Sequence, residues 1–200
     1  MSLFSKLFRS RARAVTTTVN RPLTIHDPTI GFLNLLGADG TGLLEADKGA
    51  LGPLFSHVKV SGSLPVPECD VLFIYCRLSP ESDASDPVAS PRDLIKSARA
   101  YVAVFASEND PDAYIKRMGR RADWGANIVM VLKRNGDSFA AFFQQLFTAM
   151  FEGQTMPTAW VRLAPQGPAT RHAENPSSIF AAEAGHLRFT RTAANPPRGP

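Results

Sequence analysis

Three strand-length apolar runs end on residues that could do chemistry. Asp70–Cys76 (DVLFIYC) leads into Arg77, Tyr101–Ser107 (YVAVFAS) into Glu108, and Asn127–Leu132 (NIVMVL) into Lys133 and Arg134. A thiol or hydroxyl at such an end becomes a nucleophile only beside a general base. The four histidines, His26, His57, His172 and His186, are scattered, and none stands at ligand spacing from another, so no metal site is expected. Two nucleophile–base pairs remain conceivable: Cys76 with His57, and Ser107 with a histidine of the C-terminal segment. Against the first, a cysteine closing a buried strand usually packs as a small apolar filler. The glycine-rich GADGTG, Gly37 to Gly42 with Gly40 at its centre, lies between a predicted strand and helix, where backbone N–H groups could cradle a phosphate. Its G-x-x-G-x-G spacing fits neither the dinucleotide fingerprint nor the P-loop, and no Lys-Ser/Thr pair follows. A tight turn with an acidic tip is the simpler reading, and no cofactor is implied.

The elements that must position these residues alternate along the chain. Short continuous apolar runs read as strands buried on both faces, and in open parallel sheets the chemistry lies just past their carboxyl ends. Thr29–Leu36 reads as a first strand, then a helix over Leu43–Phe55 and a short strand over His57–Val60. Ser90-Pro91 opens a helix to about Ala98, since proline at the first helical position loses no hydrogen bond. Another helix is expected from Asp110-Pro111 to about Trp124. Phe139, Phe142, Phe143, Leu146, Phe147 and Met150 recur at helical spacing, with Gly153 as the stop, and read as core packing. This alternation predicts a three-layer α/β sandwich around a mostly parallel, doubly wound sheet.

Composition narrows the function classes. Two hundred residues suit one domain, expected over residues 25–190, with a basic amphipathic segment at 1–24 and a disordered proline-rich tail at 191–200. The net charge of +4 comes from the start of the chain: Lys6, Arg9, Arg11, Arg13 and Arg21 precede the first acid, Asp27, leaving 17 bases against 18 acids. A near-neutral body argues against nucleic acid as a partner. Leu3, Phe4, Leu7 and Phe8 share one helical face, with Lys6 and Arg9 beside them, a pattern suited to a protein partner or an anionic membrane surface. A solvated terminus or an organelle transit peptide has the same composition. Cys69 and Cys76 are badly placed for a disulfide, and the expectation is a reducing, cytoplasmic setting, membrane-peripheral if the N-terminus attaches. Residues 80–91, polar and proline-bounded, read as a long loop.

Two resemblances follow from these residues. Ser107 and Lys133 fall where a response-regulator receiver keeps its hydroxyl residue and its lysine, but the phosphorylated aspartate is replaced by Tyr75, so the resemblance implies no phosphoryl acceptance. From Asp70 to about Ala164 the chain is similar to the caspase-like CHAT domain family. There DVLFIYCRLS matches the strand that leads into His-Gly, and VFASEN matches the strand that ends in a Ser-Ala-Cys type of motif. GANIVMVLKRNGDSFAAFFQQLFTAMFEGQTMPTAWVRLA matches the family's closing strand, long amphipathic helix, EG turn and terminal helix. Asn175–Phe189 corresponds to its last strand. The resemblance places the family's histidine on Arg77 and its cysteine on Ser107. Arginine stays protonated at neutral pH and cannot act as a general base, so the resemblance implies a degenerate, non-catalytic member, a pseudoenzyme working through protein contacts. Arg77, Ser107 and Glu108 are then expected to form a charge-assisted cluster at the sheet mouth, as an anion pocket or a structural salt bridge.

Overall fold

The computed structural model describes residues 22–78, 80, 90–118, 124–164 and 176–192. Six strands form the central sheet: β2 (Thr29–Asn34), β3 (His57–Ser61), β4 (Val71–Tyr75), β5 (Val102–Phe105), β6 (Asn127–Lys133) and β7 (Ser177–Ala182). Their spatial order is β3-β2-β4-β5-β6-β7. The first five are parallel; β7 runs antiparallel to β6, with a register shift between Val131 and Lys133. The parallel part has the doubly wound order 2-1-3-4-5, whose switch point lies between β2 and β4. The predicted α/β sandwich is therefore the observed architecture.

Period-two alternation divides the central strands between two cores. Val71, Phe73 and Tyr75 face one layer, built from α1 (Ala38–Leu51), α4 (Ser138–Phe151) and α5 (Met156–Leu163). Leu72, Ile74 and Cys76 face the other, which includes α2 (Pro91–Ala98) and α3 (Pro111–Ala113). In the first core the Phe73 ring meets those of Phe32, Phe139, Phe143 and Phe147 at centroid distances of 5.6, 6.5, 5.3 and 6.2 Å. The phenylalanine stripe of α4 is thus core packing, and Gly153, at φ 94°, ends the helix in a conformation that suits glycine. Ser90 accepts the Asp93 N–H with Pro91 in the first turn, as the sequence predicts.

Several expectations shift. The helix after β2 begins at Ala38, not Leu43, so Gly40 and Gly42 belong to α1 and GADGTG is no free phosphate loop. The element after Asp110 is one short α turn that widens into a π turn over Tyr114–Met118; residues 119–123 lie outside the described set. The stretch matched to a single last strand divides into β7 and β8 (Leu187–Thr190), and β8 leaves the main sheet to pair in parallel with an unpredicted strand, β1 (Leu23–His26). Leu23 and Thr24 therefore belong to the folded body rather than to an N-terminal segment ending at 24. Arg191 and Thr192 are tied to it as well, through Leu54 and Asp27. The amphipathic residues Leu3, Phe4, Lys6, Leu7, Phe8 and Arg9, most of the 80–91 loop, and the tail from 193 lie outside the described residues. Among the described residues, no helix is long and apolar enough to cross a membrane.

Candidate functional site at the carboxyl edge of the sheet

A cavity of about 860 Å³ opens over the carboxyl ends of the parallel strands. Each wall comes from a different element: Leu43 and Asp47 from α1, Arg77 from the turn after β4, Ser107 and Glu108 from the turn after β5, and Arg134 from the turn after β6. The two positions matched to the family dyad, Arg77 and Ser107, share this one cavity.

Its floor is an ion pair. Asp47 sits on the inward stripe of α1 with Gly40, Leu44 and Leu51, and its side chain is 1 % exposed. Arg134 donates from Nη1 and Nη2 to its two carboxylate oxygens at 3.1 and 2.8 Å. Tyr75 Oη donates to the same carboxylate at 2.8 Å. Arg134 Nη1 also reaches the Ala106 carbonyl at 2.6 Å, and the guanidinium lies 3.7 Å from the Phe139 ring centre. Burial raises the Asp47 pKa, outweighing the hydrogen bonds and charge of Arg134 that pull it down. The Tyr75 phenol is raised by the same burial, then by the carboxylate beside it. A buried ion pair of this kind holds geometry more than it adds stability.

The cluster expected around Arg77 takes another form. Glu108 accepts the backbone N–H of Arg134 at 3.3 Å rather than pairing with Arg77. Arg77 is exposed and makes no ion pair or hydrogen bond among the described residues, so the structural salt bridge at this edge belongs to Arg134. Ser107 is 4 % exposed, and its Oγ has no hydrogen-bond partner among the described residues.

The structure separates both conceivable nucleophile–base pairs. His57 stands level with Thr29 and Asp70 at the amino edge, six residues of strand from Cys76, or about 20 Å. Cys76 points into the core shared with α2, away from the cavity. His186 follows Gly185, whose carbonyl accepts from Asn127 at the first residue of β6, so it too lies at the amino edge, opposite Ser107. His26 precedes β2 there, bonded to Thr190; His172 lies outside the described residues. Both cysteines are buried and not joined in a disulfide, and burial pushes the Cys69 thiol up to about 12. No group of His, Cys, Asp and Glu suited to a metal occurs among the described residues.

Gly40 is buried and does not line the cavity; it is glycine for packing reasons, since a Cβ there would meet Asn34 Oδ1 at 2.1 Å, and Asn34 holds the β2–α1 turn through Gly37 and Leu36. Asp47 was not among the residues singled out from the sequence. Its signal was available, since an acid in the 44–47–51 apolar stripe of a helix demands a buried cation. The chain matches no protein-family model, no curated protein and no solved structure.

Proposed function

We propose that this chain is a non-catalytic α/β binding module of the caspase-like kind, which engages a protein partner through the cavity at the carboxyl edge and is tethered by its basic N-terminal segment. The observation that carries the reading is the convergence of Arg77 and Ser107 on one cavity. These are the positions that the CHAT resemblance assigns to a histidine and a cysteine. With arginine in place of the base and a hydroxyl in place of the thiol, the site keeps a binding shape while lacking an activated nucleophile.

Restoring the dyad tests this. In R77H/S107C, the new thiol should gain thiolate character from the neighbouring imidazole. Its alkylation by iodoacetamide at pH 6.5, read by intact mass, is expected to run at least about tenfold faster than in S107C alone. Cys69 and Cys76, buried in the native protein, should stay unmodified over the same interval. Equal rates in the two variants would show that positions 77 and 107 do not form a dyad site, and the assignment would fall. Rapid labelling of Cys76 in the unaltered chain would favour the hydrolase alternative.

A further inference from the structure

The cavity holds two arginines with different fates. Arg134 is fully engaged by Asp47 and Ala106, whereas Arg77 is paired with none of the carboxylates that line the same space, Asp39, Glu108 and Asp137. Ser107 Oγ, buried in the cavity wall, is a hydroxyl with no partner among the described residues. An unpaired guanidinium and an unsatisfied buried hydroxyl are complementary to one oxyanion. Two further features favour an anion at this place. The fourteen-residue helices α1 and α4 both start at the cavity, and neither start is capped by a side chain. The positive dipole ends of both helices therefore border the same space, with the Gly40 and Phe139 N–H groups already held by the Gly37 and Gly136 carbonyls.

We infer that Arg77 and Ser107, between the starts of α1 and α4, bind a single carboxylate carried by a ligand that also bears a cation. The inference rests on the binding-module reading and specifies what the partner presents. The acids select the charge type. With Asp39, Glu108 and Asp137 around Arg77, and Asp47 neutralised by Arg134, a dianionic phosphate meets net repulsion. A monoanion beside an ammonium group is attracted at both ends. Leu36, Leu43, Ala46 and Ala50 supply an apolar wall for the chain between the two charges. Two sources carry this chemistry: the free carboxyl terminus of a peptide with a nearby lysine, and a free amino acid. A volume of about 860 Å³ holds several peptide residues and leaves a lone amino acid loosely held, so the peptide terminus is the better fit.

The full chain, titrated by ¹⁵N–¹H NMR with the acetylated peptide Ac-Ala-Lys-Ala-Ala, tests it. Saturable shifts are expected at Ser107, Glu108 and the first turns of α1 and α4, with affinity falling at least about tenfold for the C-terminal amide of the same peptide. Free lysine should bind more weakly than the peptide acid, and inorganic phosphate should not compete at matched ionic strength. R77Q should weaken the peptide acid by about tenfold, S107A by less, with thermal midpoints unchanged for R77Q because Arg77 is exposed and unpaired. Equal affinity for acid and amide, unchanged binding by R77Q, effective competition by phosphate, or no saturable shift would each overturn the assignment. None of these results touches the thiol-labelling test of the dyad positions, so the two readings fail separately. Stronger binding of free lysine than of peptide would move the source from a protein terminus to a small molecule.

Discussion

Replacing Arg134 by methionine removes one partner of a buried ion pair and leaves the other. Asp47 would keep the Tyr75 hydrogen bond and lose both guanidinium donors, in a position where its side chain is 1 % exposed. The Ala106 carbonyl would lose its donor as well, and Phe139 the cation on its face. Breaking such a pair costs about 3–5 kcal/mol, mostly the penalty of an uncompensated buried charge. For a chain of this size that is a fall in Tm of roughly 6–20 °C. The pH dependence identifies the cause. Burial already raises the Asp47 pKa, and loss of Arg134 raises it further. Above the unfolded carboxylate range, the native state then holds a proton that the unfolded chain has released, so stability falls as pH rises toward the folded pKa. The limiting slope is about 1.4 kcal/mol per pH unit. R134M should therefore recover on acidification from pH 7 to 5, while the double variant D47L/R134M should be close to the parent and without this slope. Urea unfolding followed by fluorescence of Trp124 and Trp160 measures both. A cost for R134M under about 1 kcal/mol, or one independent of pH, would refute the reasoning.

Two further expectations rest on separate features. In α1, G40A forces its Cβ onto Asn34 and should destabilise by about 1–3 kcal/mol, whereas G42A, with nothing within 4 Å, should stabilise by about 0.5–1 kcal/mol through helix propensity; urea unfolding of the pair distinguishes packing from propensity. Deleting residues 1–14 should abolish binding to vesicles containing anionic lipid, or to the partner, with the far-UV spectrum of the remainder unchanged. Undiminished binding of the truncated chain would remove the tether from the proposed function.

Much of the central sheet was legible because strands buried on both faces leave continuous apolar runs. DVLFIYC, YVAVFAS and NIVMVL each locate a strand to within one or two residues. β1 and β8 left no such trace. They are four residues each, with only Ile25 buried in β1 and only Leu187 and Phe189 in β8, and exist because Leu23 pairs with Leu187 across most of the chain. Nothing local in LTIH announces that contact. The start of α1 was misplaced for a related reason. Gly37, Gly40 and Gly42 read as a loop by propensity, yet close packing on Asn34 makes Gly40 a requirement of the helix rather than an interruption of it.

The site shows the same division between what residue types announce and what only assembly decides. Strand-end position alone placed Arg77, Ser107, Glu108 and Arg134 together, because parallel strands in register deliver their carboxyl ends to one edge. Which arginine would be structural was not readable there. That depended on Asp47, which α1 brings within hydrogen-bond reach of Arg134, and on Tyr75, which turns its hydroxyl toward Asp47. Once Asp47 fixes Arg134, the Ala106 carbonyl at the end of β5 is satisfied, and Glu108 is drawn to the Arg134 backbone. Among the described residues, Arg77 is thereby left as the cavity's uncommitted cation. Its availability is a consequence of the ion pair beneath it, so a variant that frees Arg134 from Asp47 should also change what Arg77 faces.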